Sequence, residues 1–187
     1  MRTAITDSKS GGATLAIGGG NKADYTQKTS IIGVNNKVNG TENAVSKYNF
    51  ISGYKNTATN VQHVSVIGSE NTVTDTKGSL VLGDKRTVSK ADGSIILGSS
   101  KNGTTTGAKN AVAIGSEANV TKDGGVALGA NSIASVDKGV AGYDPTTGMA
   151  STETNSTWKA TSAAVSVGDV GNGITRQITS VAAGIAD

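Results

Sequence analysis

A glycine returns eight times along this chain, each time behind a short, mostly apolar run. The segments are Leu15-Ala16-Ile17-Gly18, Ser30-Ile31-Ile32-Gly33, Phe50-Ile51-Ser52-Gly53, Ser65-Val66-Ile67-Gly68, Leu80-Val81-Leu82-Gly83, Ile95-Ile96-Leu97-Gly98, Val112-Ala113-Ile114-Gly115 and Val126-Ala127-Leu128-Gly129. The glycine-to-glycine steps are 15, 20, 15, 15, 15, 17 and 14 residues. A near-fixed period of this length restricts the chain to a repeat architecture, in which each unit buries its apolar side against its neighbours instead of sharing one globular core. Composition agrees: only 3% of residues are aromatic and 26 of 187 are glycine, so the layers that stack must be thin.

Within a repeat, Asn stands three positions after the glycine at Asn21, Asn36, Asn56 and Asn71. A small or β-branched apolar residue follows two positions later, at Ala23, Val38, Ala58, Val73, Val88 and Val120. Val and Ile favour strands, and Gly, Asn, Asp and Ser supply turn conformations and local hydrogen bonds. The apolar runs are too short for helices. Each repeat therefore reads as a strand, a glycine turn, a second short strand and a polar return. One coil with two short strands, stacked at about 4.8 Å, predicts an all-β parallel solenoid whose eight coils make a rod of roughly 35–40 Å. Such a rod has little interior, and its flat apolar face is a sticky patch. Association of several chains in a closed ring covers that face.

Two steps break the period. The 20-residue step holds Asn39-Gly40-Thr41-Glu42-Asn43-Ala44-Val45-Ser46-Lys47-Tyr48, and the 17-residue step holds Asn102-Gly103-Thr104-Thr105-Thr106-Gly107. Insertions in a solenoid emerge as loops on one face. After residue 134 the rhythm ends. Gly142-Tyr143-Asp144-Pro145 holds the lone proline, a polar stretch leads to the lone tryptophan, Trp158, and short alternating segments run from Ala164 to Gly184. The expected organisation is repeats over 1–134 and a connector and neck over 135–187.

The motifs resemble the trimeric autotransporter adhesins of the YadA-like family. Asn110-Ala111-Val112-Ala113-Ile114-Gly115 and Gly125-Val126-Ala127-Leu128-Gly129-Ala130 are similar to that family's head repeat. Gly142-Tyr143-Asp144-Pro145 through Trp158-Lys159-Ala160-Thr161 and Ala164-Val165-Ser166-Val167-Gly168 resemble its head-to-neck segment. Arg176-Gln177-Ile178-Thr179-Ser180-Val181-Ala182-Ala183-Gly184 resembles its neck. Ser52, and the early repeats from Leu15 to Gly53, depart from the pattern. The resemblance implies a left-handed parallel β-roll head, a homotrimer, and a neck that pins the chains together. It also implies a place on the bacterial surface, anchored in the outer membrane through a C-terminal barrel absent from this sequence, and a host-surface or extracellular-matrix protein as partner. The sequence reads as a piece excised before a coiled-coil stalk.

Other chemistry is poorly supported. Net charge is +3 and the longest basic run is the pair Lys85-Arg86, so the basic, aromatic-studded stripe of a nucleic-acid binder is missing. There is no cysteine for thiol chemistry or disulfides, and no apolar stretch of membrane-spanning length. His63, the sole histidine, lies at a repeat edge. Glu117 and Asp123 have no implied apolar pocket to raise a carboxyl pKa. Gly18-Gly19-Gly20-Asn21-Lys22 lacks the ending of a phosphate loop and reads as a turn. The Gly/Asp repeat of calcium β-rolls is missing, and hexapeptide-repeat acyltransferases have a different period and use histidines. No catalytic residue, metal or cofactor is expected. The expected function is an adhesin head. The competing reading is a spacer segment of an adhesin stalk or a phage tail fibre. Tyr48, Tyr54 and Lys55 flank the longest insertion and are the candidate ligand contacts, because aromatic and cationic side chains anchor interfaces. Ile67, Leu82, Leu97, Ile114, Leu128 and Trp158 are the candidate trimer core; the apolar residues before each glycine are expected to be buried between chains.

Overall fold

The computed structural model describes residues 3–6 and 13–183. The chain is all-β, a parallel solenoid of about eight turns. One sheet of nine strands stacks Leu15–Ile17, Ser30–Val34, Phe50–Tyr54, Ser65–Ser69, Leu80–Leu82, Ile95–Leu97, Val112–Ile114, Val126–Leu128 and Val165–Ser166. A second sheet of seven stacks Thr3–Thr6, Asn21–Asp24, Lys37–Asn39, Thr57–Thr59, Thr72–Thr74, Arg86–Ser89 and Thr104–Thr106. Equivalent residues pair one coil apart, as Val66 with Ile51 and Val81, and Val73 with Ala58 and Val88.

The repeat is richer than two strands and a return. A third, short side pairs Thr26–Gln27 with Ser46–Lys47, then bridges Lys47 to Gln62 and Gln62 to Lys77. Three sides need three corners, and in the coils of 15 residues each is turned by a residue of positive φ. The coil after Gly68 turns at Glu70 (φ 58°), Asp75 (φ 48°) and Gly78 (φ 65°). The 20-residue step is absorbed outside the ladders. Gly33 still pairs with Gly53, and the extra chain forms a tight turn closed by Thr41 and Ala44.

The periodic glycine meets two demands at once. Its φ lies between 100° (Gly129) and 144° (Gly83), a region that L side chains rarely enter. At Gly68 a Cβ would stand 1.9 Å from the Gly83 carbonyl oxygen of the next coil.

Strand alternation divides the apolar triplets. The middle residue points inward: Ile31, Ile51, Val66, Val81, Ile96, Ala113 and Ala127 are buried within their own chain. With Ala23, Val38, Ala58, Val73 and Val88 from the second sheet, Val120 and Ala134 from the short parallel pair Asn119–Val120 and Ile133–Ala134, and Val61, Val64 and Ala91 from the third side, they form one narrow core. The expectation that every apolar residue before the glycine lies between chains is corrected here, because these middle residues fill the coil itself.

In the coils that carry asparagine three positions after the glycine, the inward corner is polar and partnered by its neighbours. Asn56 Nδ2 donates to Asn36 Oδ1 (2.9 Å) and to the Gly68 carbonyl (2.7 Å), while Asn56 Oδ1 accepts from the N–H (3.1 Å) and Nδ2 (2.9 Å) of Asn71. The same links run from Asn21 to Asn36 and from Asn36 to Asn56. From Asn21 to Asn71 a buried amide thus closes each coil onto the next with its own polar atoms paired.

After the last repeat, Tyr143–Asp144 and Met149–Ala150 form an antiparallel hairpin, and Val165–Ser166 adds the ninth strand to the first sheet. Arg176 then closes the open end. Its Nη2 donates to the Ala130 carbonyl (2.6 Å), and its Nη1 donates to Ser132 Oγ (3.1 Å) and to the Val167 carbonyl. At Gly129 a Cβ would meet this guanidinium at 3.0 Å, where at earlier glycines it would meet the next coil.

Candidate binding surfaces

The residues that flank the buried middle position point outward, and on the first sheet they are apolar except for Ser30, Ser52 and Ser65. Leu15 (51% exposed), Ile17, Phe50, Ile67, Leu82 (46%), Ile95, Ile114 (40%) and Leu128 are exposed, and Ile32, Leu80, Leu97, Val112 and Val126 are half-buried. Because the strands stack in register, these side chains form a largely apolar face along the nine-stranded sheet, interrupted by Ser30, Ser52 and Ser65. Five of the candidate trimer-core residues, Ile67, Leu82, Leu97, Ile114 and Leu128, share its outward column directly before the glycine. Ser52 occupies the same column, where a hydroxyl at a half-buried outward site needs no internal partner. Trp158 lies apart from it, half-buried beside Gly142, whose N–H donates to the Trp158 carbonyl at 2.7 Å.

The candidate ligand residues fall at two corners. Tyr48 (φ 59°) turns the corner that enters the first sheet, and Lys55 (φ 53°) turns the one that leaves it. The strand Phe50–Tyr54 separates them, so about 20 Å of extended chain lies between the two aromatic positions. Tyr54 has the Lys55 ammonium 5.0 Å from its ring centroid, and the Lys55 pKa is raised, chiefly by its contact with the Tyr54 hydroxyl. Tyr48 belongs to a different cluster. Its ring stacks on His63 with centroids 4.7 Å apart and planes 15° from parallel. Lys28 Nζ donates to the Tyr48 hydroxyl (3.2 Å), which holds the phenol pKa below its usual value.

The other motifs weighed from sequence have structural roles. Gly18 (φ 115°) and Gly20 (φ 69°) make a turn. Glu117 and Asp123 do not meet. The Asp123 carboxylate accepts from the Lys109 N–H (2.8 Å), and Glu117 accepts from Thr104 Oγ1 (2.6 Å), Ser100 Oγ (2.8 Å) and the Lys101 N–H. No group of three or more His, Cys, Asp or Glu side chains suited to a metal ion occurs among the described residues.

Comparison with known proteins adds one finding. Over 62 residues, 33% of the chain, the sequence is 50% identical to Autotransporter adhesin BadA of Bartonella henselae. The matched stretch is 2% of that much longer relative. No family model matches the chain. The match and the solenoid together fit a YadA-like head. In this solenoid the repeated motif specifies a rung of β-structure, with the glycine at its tightest contact and an apolar residue on either side of the wall.

One residue of the solenoid escaped sequence reasoning. Arg86 stands where the asparagine ladder would continue, and its N–H donates to Asn71 Oδ1 (2.9 Å). Its side chain is fully buried, and Nη2 reaches the Ala118 carbonyl (2.7 Å), two coils on, while Nε and Nη1 make no hydrogen bond to the protein. The available signal was positional: Arg86 is three residues after Gly83, the slot that Asn fills in earlier repeats.

Proposed function

We propose that this chain is the head and neck of a homotrimeric surface adhesin, with residues 1–134 as head and 135–187 as connector and neck, and that it attaches a bacterium to a host-cell or extracellular-matrix component. The observation that carries the reading is the outward apolar face of the nine-stranded sheet. A water-facing wall of Leu, Ile, Val and Phe along a whole rod is costly at roughly 25 cal/mol per Å² of apolar surface, and a closed three-fold ring removes it. In this reading Ile67, Leu82, Leu97, Ile114 and Leu128 meet their symmetry mates, and Trp158 packs at the neck. The likeness to an autotransporter adhesin supports a surface location with outer-membrane anchorage. Three copies per molecule, and many molecules per cell, turn weak contacts into firm attachment by avidity.

The test pairs mass with adhesion. Light scattering of the full chain, with a trimeric coiled coil fused after residue 187, is expected to give about three times the 18.6 kDa chain mass plus the fusion. The same protein is expected to bind epithelial cells or immobilised matrix proteins saturably. A trimer that binds none of them would overturn the adhesive part of the reading. A chain whose own contacts add no stability to the fused coil would overturn the trimeric part.

A further inference from the structure

Two outward rows meet at one edge of the solenoid. On the third side, Gln27, Lys47, Gln62 and Lys77 stand in register through the pairing of Gln27 with Lys47 and the bridges Lys47–Gln62–Lys77. The next residue of each rung turns the corner with positive φ: Lys28, Tyr48, His63 and Gly78. Successive rungs are about 4.8 Å apart, so these rows hold cationic and aromatic groups at fixed intervals along the rod. Lys28 Nζ is 5.0 Å and Lys47 Nζ 5.9 Å from the Tyr48 ring centroid. Tyr48 stacks on the His63 imidazole and holds the Lys28 ammonium at its hydroxyl, so it ties the two together. The far face of His63 looks along the rod toward Gly78, where even a Cβ would meet nothing within 4 Å. Lys77 is exposed beside this bare corner. The acidic residue one rung further, Asp92, accepts the Lys77 N–H at 2.8 Å.

We propose that this edge is a ligand site, formed by Lys28, Lys47, His63 and Lys77, and that it takes a linear sulfated polysaccharide lying along the rod axis. The inference rests on the adhesin reading and gives it a ligand class. Lys47 and Lys77 stand in one column two rungs apart, about 9.6 Å, which suits a chain carrying regularly spaced anionic groups. The imidazole face above Gly78 offers a flat, uncovered platform for a sugar ring. Tyr48 is a positioning residue that holds His63 and Lys28. An acidic protein partner fits less well, since protein interfaces centre on apolar anchors seated in pockets and this edge has no apolar cavity. Tyr54 and Lys55 lie at the far end of their strand and are not part of this site.

The experiment measures binding of the full chain to immobilised heparin at about 0.15 M salt, where screening acts over about 8 Å. Saturable binding that weakens with salt is expected. Replacing Lys47 and Lys77 together by Ala is expected to weaken it about tenfold or more, a loss of about 1.4 kcal/mol or more. His63→Ala is expected to weaken it severalfold. The control pair Lys22→Ala and Lys37→Ala removes the same charge from exposed, in-register positions on the second sheet, and is expected to leave binding nearly unchanged. Equal losses from the two pairs would reduce the effect to net charge and overturn the site. Absence of heparin binding would overturn the proposal, and hyaluronan, carboxylated but unsulfated, binding as tightly as heparin would overturn the sulfate assignment. Attachment to epithelial cells is measured with the same proteins. Attachment that persists in the Lys47/Lys77 variant after heparin binding is lost would overturn this proposal as the adhesive contact and leave the adhesin reading standing.

Discussion

At the scale of single residues, the repeat is governed by where a side chain is impossible. Gly68→Ala adds a Cβ 1.9 Å from the Gly83 carbonyl oxygen, a backbone atom fixed by the ladder, and does so at φ 139°. Gly78→Ala adds one at φ 65° with nothing within 4 Å. The second change costs only the left-handed conformation, about 1–2 kcal/mol. The first adds a steric clash, so Gly68→Ala is expected to lower the melting temperature by several degrees more, at about 2–4 °C per kcal/mol for a chain of this size. Thermal unfolding of the two variants checks the order; equal shifts would mean that the close approach does not matter. The period of these glycines was legible in the sequence because each sits behind an apolar run. Corners turned by Tyr48, Lys55, His63 and Glu70 were not, since side chains of these types carry no sign of positive φ. The third side was hidden for the same reason: without its corners, Thr26–Gln27 and Ser46–Lys47 read as polar loop.

At the scale of the element, the 17-residue step shows how an insertion is accommodated. Thr104 pairs with Arg86, and the extra residues before it fold into a turn that Glu117 holds through Thr104, Lys101 and Ser100. Those hydrogen bonds, that of Thr104 first, hold the Glu117 carboxyl down at about 2 against a usual 4.5. A carboxyl depressed in the folded state stabilises the fold above its unfolded pKa, and that contribution is lost as pH falls from about 4.5 to 2. Urea unfolding at pH 6 and pH 3 is therefore expected to show a larger acid loss for the wild type than for Glu117→Gln. Parallel losses would mean that Glu117 does not hold the turn. The insertion itself could be found in the sequence from its Asn102-Gly103 turn signal. The end of the asparagine ladder could not be found so. The ladder's asparagines at 21, 36, 56 and 71 give way to Arg86, and only coordinates reveal that the guanidinium runs through the interior to Ala118.

At the scale of the whole molecule, the decisive property is that the apolar wall has two sides. The sequence identified the triplets before the glycines as apolar but treated them as one set, because a three-residue run does not declare which member points inward. The nine-stranded sheet divides them by alternation, and in the trimeric reading the division separates folding from assembly. Ala113 is buried in its own coil and Ile114, its neighbour, is 40% exposed on the outer face. Ala113→Asp places an unpaired charge in a core without room or partner, and is expected to abolish the strand signal in circular dichroism. Ile114→Asp leaves the charge in water in an isolated chain, but buries it three times over in a three-fold ring. It is expected to keep the β-sheet spectrum while the mass of the unfused chain falls from three copies to one. Sedimentation velocity and circular dichroism on the two variants decide the matter. If Ile114→Asp stays trimeric with its melting temperature unchanged, the apolar face is not the assembly surface, and the three-fold reading must rest on the neck alone. If it unfolds as Ala113→Asp does, the single coil cannot stand without its partners, and the wall that seemed to serve assembly serves folding as well.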